Sequence, residues 1–265
     1  MSKSCTIIAV ANQKGGVGKS STCVNLGHAL AKSGHKVLLV DFDPQGNLTM
    51  SFGVELPDEL PLSMFDVLTS LIDTGKALPK EDYILTGDML DIIPSNIKLS
   101  ASEVNLRYEL GGESTLSELL EPLRSGYDYI IIDSSPFLGM LTSNVLTACD
   151  KVIIPVSPEL WSARGLTDLI LTINKIRSKL NPRIELAGIL LTMCDERTNL
   201  YKEFSSLLAD TYGESLKIFD TTIPRSVKVG EANYASMSVV DFEPTNKAAK
   251  AYISFAEEIM HHVET

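Results

Sequence analysis

The residues best suited to carry chemistry are concentrated in a glycine-rich segment near the start of the chain, residues 14–20 (KGGVGKS). Glycines let the backbone turn tightly, so that successive N–H groups point into one concavity that fits phosphate oxygens. An apolar run at residues 6–11 precedes the segment and a helical pattern follows it, so a helix N-terminus adds its partial positive charge. The segment therefore predicts a phosphate-binding loop, or P-loop, between a strand and a helix.

Two side chains of the P-loop extend its chemistry beyond the backbone. Lys19 is placed to neutralise the β- and γ-phosphates of a nucleoside triphosphate, and the hydroxyl of Ser20 can ligate Mg²⁺. We therefore expect ATP and Mg²⁺ as the cofactors. The residues expected to contact the nucleotide through the loop are Gly15, Gly16, Val17, Gly18, Lys19, Ser20 and Ser21.

The loop departs from the standard G-x-x-x-x-G-K-[ST] pattern, because Gln13 stands at the position of its first glycine. In addition, a second lysine, Lys14, precedes the two glycines. Its ammonium group, on a flexible stem, could reach across a subunit boundary and stabilise charge on the transferring phosphoryl group, as an arginine finger does. The alternative is a solvated lysine without a catalytic role.

Aspartates end two apolar segments that the sequence predicts as buried strands. Asp41 and Asp43 follow VLLV, and Asp133 follows YIII. Because side chains alternate along a strand, Asp41 and Asp43 are expected to point the same way. A P-loop needs acidic residues at neighbouring strand ends to hold Mg²⁺ and its waters. We therefore predict Asp41 and Asp133 as part of the magnesium environment, although single strand-end aspartates are also common turn residues.

Strand and helix signals alternate along the chain. The predicted strands are residues 6–11, 36–40, 129–132, 152–156 and 184–191, and the predicted helices are residues 21–33, 139–149 and 160–180. This alternation predicts an α/β fold with a doubly wound, mainly parallel sheet flanked by helices. Residues 53–82 are expected to form an irregular excursion with one short helix near 62–72. We see no linker, so we expect residues 1–265 to form a single P-loop ATPase domain.

Composition is that of an ordinary globular protein, with 44% hydrophobic and 22% charged residues. We find no signal-peptide pattern and no apolar run of the roughly 18 residues that span a bilayer. The four cysteines lie far apart, which favours buried thiols in a reducing compartment. A net charge of -11 argues against a general nucleic-acid binder, but most of the excess acidity lies in the N-terminal part. We expect a cytoplasmic protein, with a local basic face still possible in the C-terminal part.

Taken together, the motifs resemble those of the deviant-Walker ATPases of the ParA/MinD superfamily, and most closely the short, Soj-type ParA partition ATPases. The resemblance rests on residues 14–20, 41–47 (DFDPQGN) and 131–133 (IID), and it continues at residues 138–142, 154–156, 188–193, 197–200 and 223–225. It spans nearly the whole chain and is weakest at residues 53–125.

The resemblance implies roles for the matching positions. Lys14 would contact the nucleotide of the partner subunit in an ATP-sandwich homodimer, with Gly16 against the dimer interface. Asp43 would orient or activate the attacking water. The magnesium environment would comprise Ser20, Asp41 and Asp133. Hydrolysis would be slow until dimerisation and a ParB-like stimulating protein complete the site.

The resemblance also implies contacts outside the loop. Thr192, Met193 and Pro224 would border the adenine. Members that bind DNA without sequence preference use basic residues near the C-terminal end of the fold, which would place the protein on the nucleoid. The candidates here are Arg197, Arg225, Lys228, Lys247 and Lys250. A few placed cations suffice for weak, salt-sensitive binding, although a solvated charged face is the alternative.

Several alternatives within the superfamily stay open or are disfavoured. A MinD-like positioning ATPase would need a basic amphipathic tail, whereas residues 251–265 are acidic and predict a packed last helix, so we expect no membrane partner. An iron–sulfur ATPase is disfavoured, because the cysteines do not sit at the bridging positions. A nucleotide-gated DNA-binding regulator stays open as an alternative. We see no N-terminal helix-turn-helix pattern, which disfavours a version that binds a specific operator. Two departures from the family pattern are residues 235–238 (ASMS), which lack a usual lysine, and Arg164, where an acid is more usual.

Overall fold

In a computed structural model that describes residues 5–159 and 162–264, a seven-stranded sheet forms the centre of the protein. Its strands are β1 (Thr6–Val10), β2 (Val37–Phe42), β3 (Leu85–Thr86), β4 (Asp91–Ile93), β5 (Tyr129–Ser134), β6 (Lys151–Val156) and β7 (Glu185–Leu191). The order is β3-β4-β2-β5-β1-β6-β7, and every pair is parallel except β3 with β4. The predicted doubly wound, mainly parallel sheet is confirmed.

Helices cover both faces of this sheet. They are α1 (Lys19–Lys32), α2 (Asn47–Ser51), α3 (Met64–Thr74), α4 (Lys80–Tyr83), α5 (Leu99–Tyr108), α6 (Thr115–Leu120), α7 (Met140–Ala148), α8 (Ser162–Lys179), α9 (Asn199–Tyr212), α10 (Val227–Tyr234), α11 (Val239–Phe242) and α12 (Lys247–Glu264). Short 3₁₀ turns lie at Pro57–Glu59, Gly112–Ser114 and Glu121–Gly126.

The central strands separate two hydrophobic cores, because consecutive side chains point to opposite faces. Ile7 of β1 lies in a core with Val145 and other residues of α3–α9. The next residue, Ile8, lies in the other core with Leu26 and residues of α1, α2 and α10–α12. All four of these side chains are at most 1% exposed, so the sheet is covered on both sides.

The last helix packs as the sequence predicted. Tyr252, Phe255 and Ile259 of α12 are buried in the second core, against α1. The apolar face of α12 is therefore covered by the protein itself. Across the parts of the chain that the structure describes, no helix is long and apolar enough to cross a membrane.

The segment from residue 53 to residue 125 holds more regular structure than the sequence indicated. The short helix predicted near 62–72 is α3, but β3, β4, α5 and α6 were not predicted. β4 has only three residues, too few for a periodic signal, and it becomes a strand because it pairs in parallel with β2. The first helix also begins earlier than predicted, at Lys19 rather than near residue 21.

Candidate nucleotide-binding site

The register of the sheet brings the candidate acids and the P-loop to one edge. Val10, the last residue of β1, lies opposite Asp133 of β5, and Asp133 in turn lies opposite Asp41 of β2. Because these strands are parallel, their carboxyl ends meet at the same edge. Residues 14–20 leave β1 at this edge and enter α1 at Lys19. The structure thus brings the P-loop and both aspartates to the same edge of the sheet.

The backbone of the P-loop needs its glycines. Gly16 and Gly18 have φ angles of 74° and 85°, in the left-handed region that strains other residues. A Cβ atom at Gly15 or Gly16 would meet nothing within 4 Å, so there is open space beside this part of the loop. That space and the turned backbone provide the cradle that a polyphosphate requires.

Two side chains from outside the P-loop, Asn12 and Thr192, hold it in place. Asn12 donates through Nδ2 to the carbonyl oxygen of Pro155, at 2.7 Å, and accepts from the N–H of Lys14, at 2.9 Å. The hydroxyl of Thr192 donates to the carbonyl oxygen of Val17, at 2.9 Å. The loop is thus tied to the ends of β6 and β7 as well as to β1.

Lys19 lies inside the cradle and is only 7% exposed. Burial lowers the pKa of its ammonium group, whereas the carboxylates of Asp133 and Asp43 oppose that shift. Its Nζ donates to the carbonyl oxygen of Lys14, at 3.3 Å. The carboxylates of Asp133 and Asp43 therefore favour the charged form of Lys19 at the N-terminal end of α1, where it would meet a phosphate.

Asp133 is the buried acid of the site that lacks donors. Its side chain is fully buried, and neither carboxylate oxygen has a hydrogen-bond partner among the residues described. Burial and the neighbouring Asp41 raise its pKa well above the usual range, while Ser20 and Lys19 lie near enough to lower it. A buried carboxylate without donors is costly unless a cation neutralises it.

Magnesium fits this acid. Mg²⁺ prefers carboxylate and hydroxyl oxygens together with phosphate oxygens and water, and Asp133 and Ser20 offer such oxygens beside the cradle. No cluster of three or more His, Cys, Asp or Glu side chains suited to a metal occurs within the described ranges. The donor set therefore suits an ion that arrives with a nucleotide rather than a metal bound by protein alone.

Asp41, by contrast, has its carboxylate engaged by the protein. Oδ2 accepts from the backbone N–H of Thr49, at 2.8 Å, and from its hydroxyl, at 2.6 Å. Oδ1 accepts from the N–H of Asp43, at 3.2 Å. Burial raises the pKa of Asp41 to about 6, and the bonds from Thr49 oppose that shift. Asp41 lies beside Asp133 as predicted, but its contacts fix the backbone around it.

Asp43 lies at the start of the turn that follows β2 and is 6% exposed. Its Oδ1 accepts from the N–H of Gln45, at 3.0 Å, inside that turn. Burial raises its pKa, while this hydrogen bond and the ammonium group of Lys19 lower it. Asp43 therefore lies close enough to Lys19 to feel its charge, at the same edge of the sheet as Asp133.

Lys14 has a partner that the sequence did not predict. Its ammonium group pairs with the carboxylate of Glu159, and both side chains are partly exposed. The hydrogen bond from Lys14 lowers the pKa of Glu159. The one available signal was position, because Glu159 follows β6 and so lies at the sheet edge where the P-loop begins.

The three residues expected around the adenine lie beside the P-loop. Met193 has a φ angle of 54°, unusual for a residue with a side chain, and is 43% exposed. Its Cε lies 3.8 Å from the position that a Cβ atom on Gly18 would take. The neighbouring residue Cys194 pairs with Pro224, which brings Pro224 to the same strand end as Thr192. The structure therefore groups Thr192, Met193 and Pro224.

Four of the five DNA-binding candidates are brought towards one another by the fold. Arg225 and Lys228 lie at the start of α10, and Lys247 and Lys250 lie at the start of α12. These two helix ends are joined by a hydrogen bond between the residues that precede them, from the Ser226 hydroxyl to Asn246 Oδ1, at 3.2 Å.

Not all of these cations are equally available. Lys228 pairs with Glu231, and Arg197, the fifth candidate, pairs with Asp195 two residues earlier. Arg225, Lys247 and Lys250 are exposed and make no ion pair within the part of the chain that the structure covers. The side chain of Arg164 lies outside the described residues.

Sequence reasoning also missed residues that support the site from a distance. Glu103 of α5 accepts from the backbone N–H groups of Met140, at 2.7 Å, and Leu141, at 3.1 Å, and so fixes the start of α7 after the Asp133 loop. Asn25 of α1 accepts from the N–H of Val239, at 2.8 Å. These contacts join residues far apart in sequence, so no local pattern indicates them.

A P-loop at the end of a central parallel strand, opposed by aspartates on the neighbouring strands, defines a nucleotide-binding protein of the P-loop class. The AAA domain family matches residues 5–186. The sporulation initiation inhibitor protein Soj of Bacillus subtilis is 40% identical over 256 residues, which cover 96% of this chain and 97% of Soj. The chromosome partitioning protein ParA of Caulobacter vibrioides is 38% identical over 256 residues, covering 96% of this chain and 93% of ParA.

A solved structure agrees with these relatives. Cobyrinic acid a,c-diamide synthase from Mycobacterium smegmatis, crystallised with an ATP analog and magnesium, superimposes with a TM-score of 0.85 and 35% identity. The match covers 98% of this chain and 96% of that one. The chain therefore belongs to the ParA/MinD superfamily of P-loop ATPases, and the resemblance to Soj-type partition ATPases is confirmed.

Proposed function

We propose that this chain binds ATP with Mg²⁺ in the P-loop and hydrolyses it slowly until a partner protein stimulates it. The observation that carries the proposal is Asp133, a fully buried carboxylate that lies beside Ser20 and Lys19 and whose oxygens have no close hydrogen-bond partner in the described part of the chain. A Mg²⁺ ion between a triphosphate and this acid would neutralise the carboxylate and could be ligated by Ser20, while Lys19 would pair with the phosphates. The ATP analog and magnesium in the related synthase structure support this choice of cofactors.

Each group at the sheet edge has a role in this proposal. The backbone N–H groups of residues 15–21 donate hydrogen bonds to the phosphate oxygens, and Lys19 neutralises the charge of the phosphates. Ser20 and Asp133 hold the magnesium, which when bound neutralises charge on the phosphates. Asp43 orients the attacking water, and the hydrogen bond from the N–H of Gln45 to its Oδ1 holds its carboxylate in place. Asp41 keeps the backbone of Asp43 in place.

We further propose that two copies form an ATP-dependent homodimer in which Lys14 contacts the nucleotide of the partner subunit. Within one chain, the ammonium group of Lys14 pairs with Glu159, whereas Lys19 is buried at the start of α1. Gly15 and Gly16 are exposed, so another molecule can approach the loop closely. Residues 1–265 would act in this dimer as one P-loop ATPase domain.

The ATP-bound dimer would bind DNA without sequence preference, and hydrolysis would release it. Arg225, Lys247 and Lys250 support this proposal because they are exposed and lie near the N-terminal ends of two joined helices. The biological role would be the partition of a plasmid or chromosome region, with a ParB-like protein as the stimulating partner. Such a protein would be cytoplasmic and associated with the nucleoid.

A membrane-positioning role of the MinD type is less well supported. Tyr252, Phe255 and Ile259 of α12 are buried in the second core and so are not presented to a lipid surface. A nucleotide-gated DNA-binding regulator shares the ATP and DNA sites with a partition ATPase, so it remains the alternative that experiment must separate.

The deciding experiment is DNA retention in a gel with ATP, with ADP and without nucleotide, repeated over a salt series. Retention that requires ATP and weakens steeply with salt supports the partition proposal. A footprint on one defined sequence would instead support the regulator. Binding to anionic liposomes in place of DNA would support the membrane-positioning role.

A further inference from the structure

Thr49, on α2, makes three hydrogen bonds at the strand ends of the site. Its hydroxyl and its backbone N–H both donate to Oδ2 of Asp41, at 2.6 Å and 2.8 Å. The same hydroxyl accepts from the backbone N–H of Ser95, at 2.9 Å. All three residues are fully buried, so no water replaces these partners at the protein surface.

The Ser95 contact fixes the direction of the Thr49 hydroxyl. A hydroxyl has one proton to donate, and a backbone N–H can only donate. Because the N–H of Ser95 points to the Thr49 oxygen, the hydroxyl proton is left for Asp41. Thr49 therefore acts as an oriented donor rather than as a rotor that could choose another acceptor.

The contacts continue from Asp41 to Asp43. Oδ1 of Asp41, the oxygen that Thr49 does not use, accepts from the backbone N–H of Asp43, at 3.2 Å. A carboxylate is planar, so fixing one oxygen fixes the direction of the other. Ser95, Thr49 and Asp41 thus form one buried series of hydrogen bonds that ends at the backbone of Asp43.

We propose that Thr49 is a positioning residue for ATP hydrolysis, which sets the place of Asp43 through the carboxylate of Asp41. The inference rests on the proposed ATPase function, in which Asp43 orients the attacking water. It also gives a role to the segment after β4, where the family resemblance is weakest, since Ser95 supplies the contact that directs Thr49. A group that orients a water must be placed closely, because a misplacement of about 1 Å can cost about 100-fold in rate.

The test compares Thr49→Val, which keeps the shape but removes the hydroxyl, with Thr49→Ser, which keeps the hydroxyl. ATPase rates of the full chain are measured over a range of Mg-ATP concentrations. We expect Thr49→Val to lower kcat by about 10- to 100-fold and to change KM by less than about threefold. Thr49→Ser should restore kcat to within about threefold of the parent.

A matched control removes a buried threonine hydroxyl elsewhere. Thr115 is 5% exposed and donates to the carbonyl oxygen of Gly112, outside the series of hydrogen bonds that joins Ser95, Thr49 and Asp41. Thr115→Val should leave kcat unchanged. If Thr49 only stabilised the fold, Thr49→Val and Thr115→Val variants with similar melting temperatures would lose the same fraction of active protein. Their kcat values would then fall equally.

Each outcome decides the matter. Parental kcat in a folded Thr49→Val variant would overturn the inference, as would a Thr49→Ser variant as slow as Thr49→Val. Should Thr49→Val not fold, Thr49→Cys replaces it, with a thiol as a weaker donor. A kcat between those of the parent and Asp43→Ala then supports the inference, and parental kcat refutes it. Absence of Mg-ATP turnover by the parent chain, with any partner, would instead refute the proposed function itself.

Discussion

Asp41 and Asp133 lie directly opposite each other on the paired strands β2 and β5, but Asp41 accepts two hydrogen bonds from Thr49 whereas the described residues give the Asp133 carboxylate no close partner. Two buried carboxylates at paired positions repel each other, so each is stabilised by a nearby positive charge or hydrogen-bond donor. Thr49 and the backbone of Asp43 supply donors to the first acid. The second has Lys19 and Ser20 beside it and room for a cation. This difference assigns separate tasks to two aspartates that the sequence treats alike.

Lys19→Ala should weaken ATP binding by about 100-fold or more. The variant loses the one ammonium group that is buried in the cradle, and charge-assisted bonds to phosphate are among the strong ones. Titration of a fluorescent ATP analogue measures the effect. The control is Lys32→Ala on the same helix, whose side chain pairs with Asp241 far from the loop. Normal binding by Lys19→Ala would remove the P-loop assignment.

Asp43→Ala should retain ATP but lose turnover by about 100-fold, because the group that orients the attacking water is gone while Lys19 and Ser20 remain. The ATP-bound dimer should then accumulate. Size-exclusion chromatography with Mg-ATP, alongside a phosphate-release assay, measures both effects. Turnover equal to that of the parent would exclude Asp43 from the mechanism.

Glu159→Gln should strengthen ATP-dependent dimerisation by roughly twofold to fivefold, since Lys14 no longer has to leave a charged partner within its own chain. The effect is small because the pair is partly exposed and screened by salt, and it should diminish at high ionic strength. Sedimentation over a protein concentration series measures it. Glu121→Gln, which breaks an exposed pair with Arg124, serves as control. A dimer weakened by Glu159→Gln would contradict the prediction.

The nucleotide-free protein should become less stable as pH rises from about 4 to about 7. Burial raises the pKa of Asp41 to about 6, from 3.8 when exposed, so the folded state binds this proton more tightly than the unfolded state. The contribution of Asp41 to the free energy of unfolding is complete below pH 3.8 and is lost as the pH rises through 6. Its size is about 3 kcal/mol. Urea unfolding across this range measures it.

The same experiment has an internal comparison. Asp41→Asn should reduce the pH dependence without abolishing it, because one proton-binding group is absent while burial also raises the pKa values of Asp133 and Asp43. Mg-ATP should also reduce it, by favouring ionised carboxylates at the site. A stability of Asp41→Asn that falls with pH as steeply as that of the parent would assign the effect to other groups.

Arg225→Glu should weaken ATP-dependent DNA retention several-fold and lower the salt dependence by the contribution of about one or two phosphate contacts. ATP binding should not change, since Arg225 is exposed and outside the cradle. Filter binding over a salt series measures both quantities. Lys175→Glu, an equal charge change on an exposed part of α8, is the control. Unchanged retention would place the DNA-binding face elsewhere.

The sequence alone determined the elements whose geometry is local. A run of glycines between a strand and a helix has few backbone solutions, so residues 14–20 specify a phosphate cradle wherever they occur. Asp133 follows from the same reasoning, because an acid after a central parallel strand must lie at the edge where the loop lies. From these two features and the alternation of strands and helices, the sequence predicted the α/β fold and a nucleoside triphosphate as the ligand.

Only the tertiary structure decided which side chains support that cradle. Thr49 meets Ser95 across 46 residues, and Lys14 meets Glu159 across 145. Such pairs depend on strand order and register rather than on spacing, and β4, which carries Ser95 into place, is too short to be recognised before it pairs with β2. The different hydrogen bonding of Asp41 and Asp133 follows from these long-range contacts.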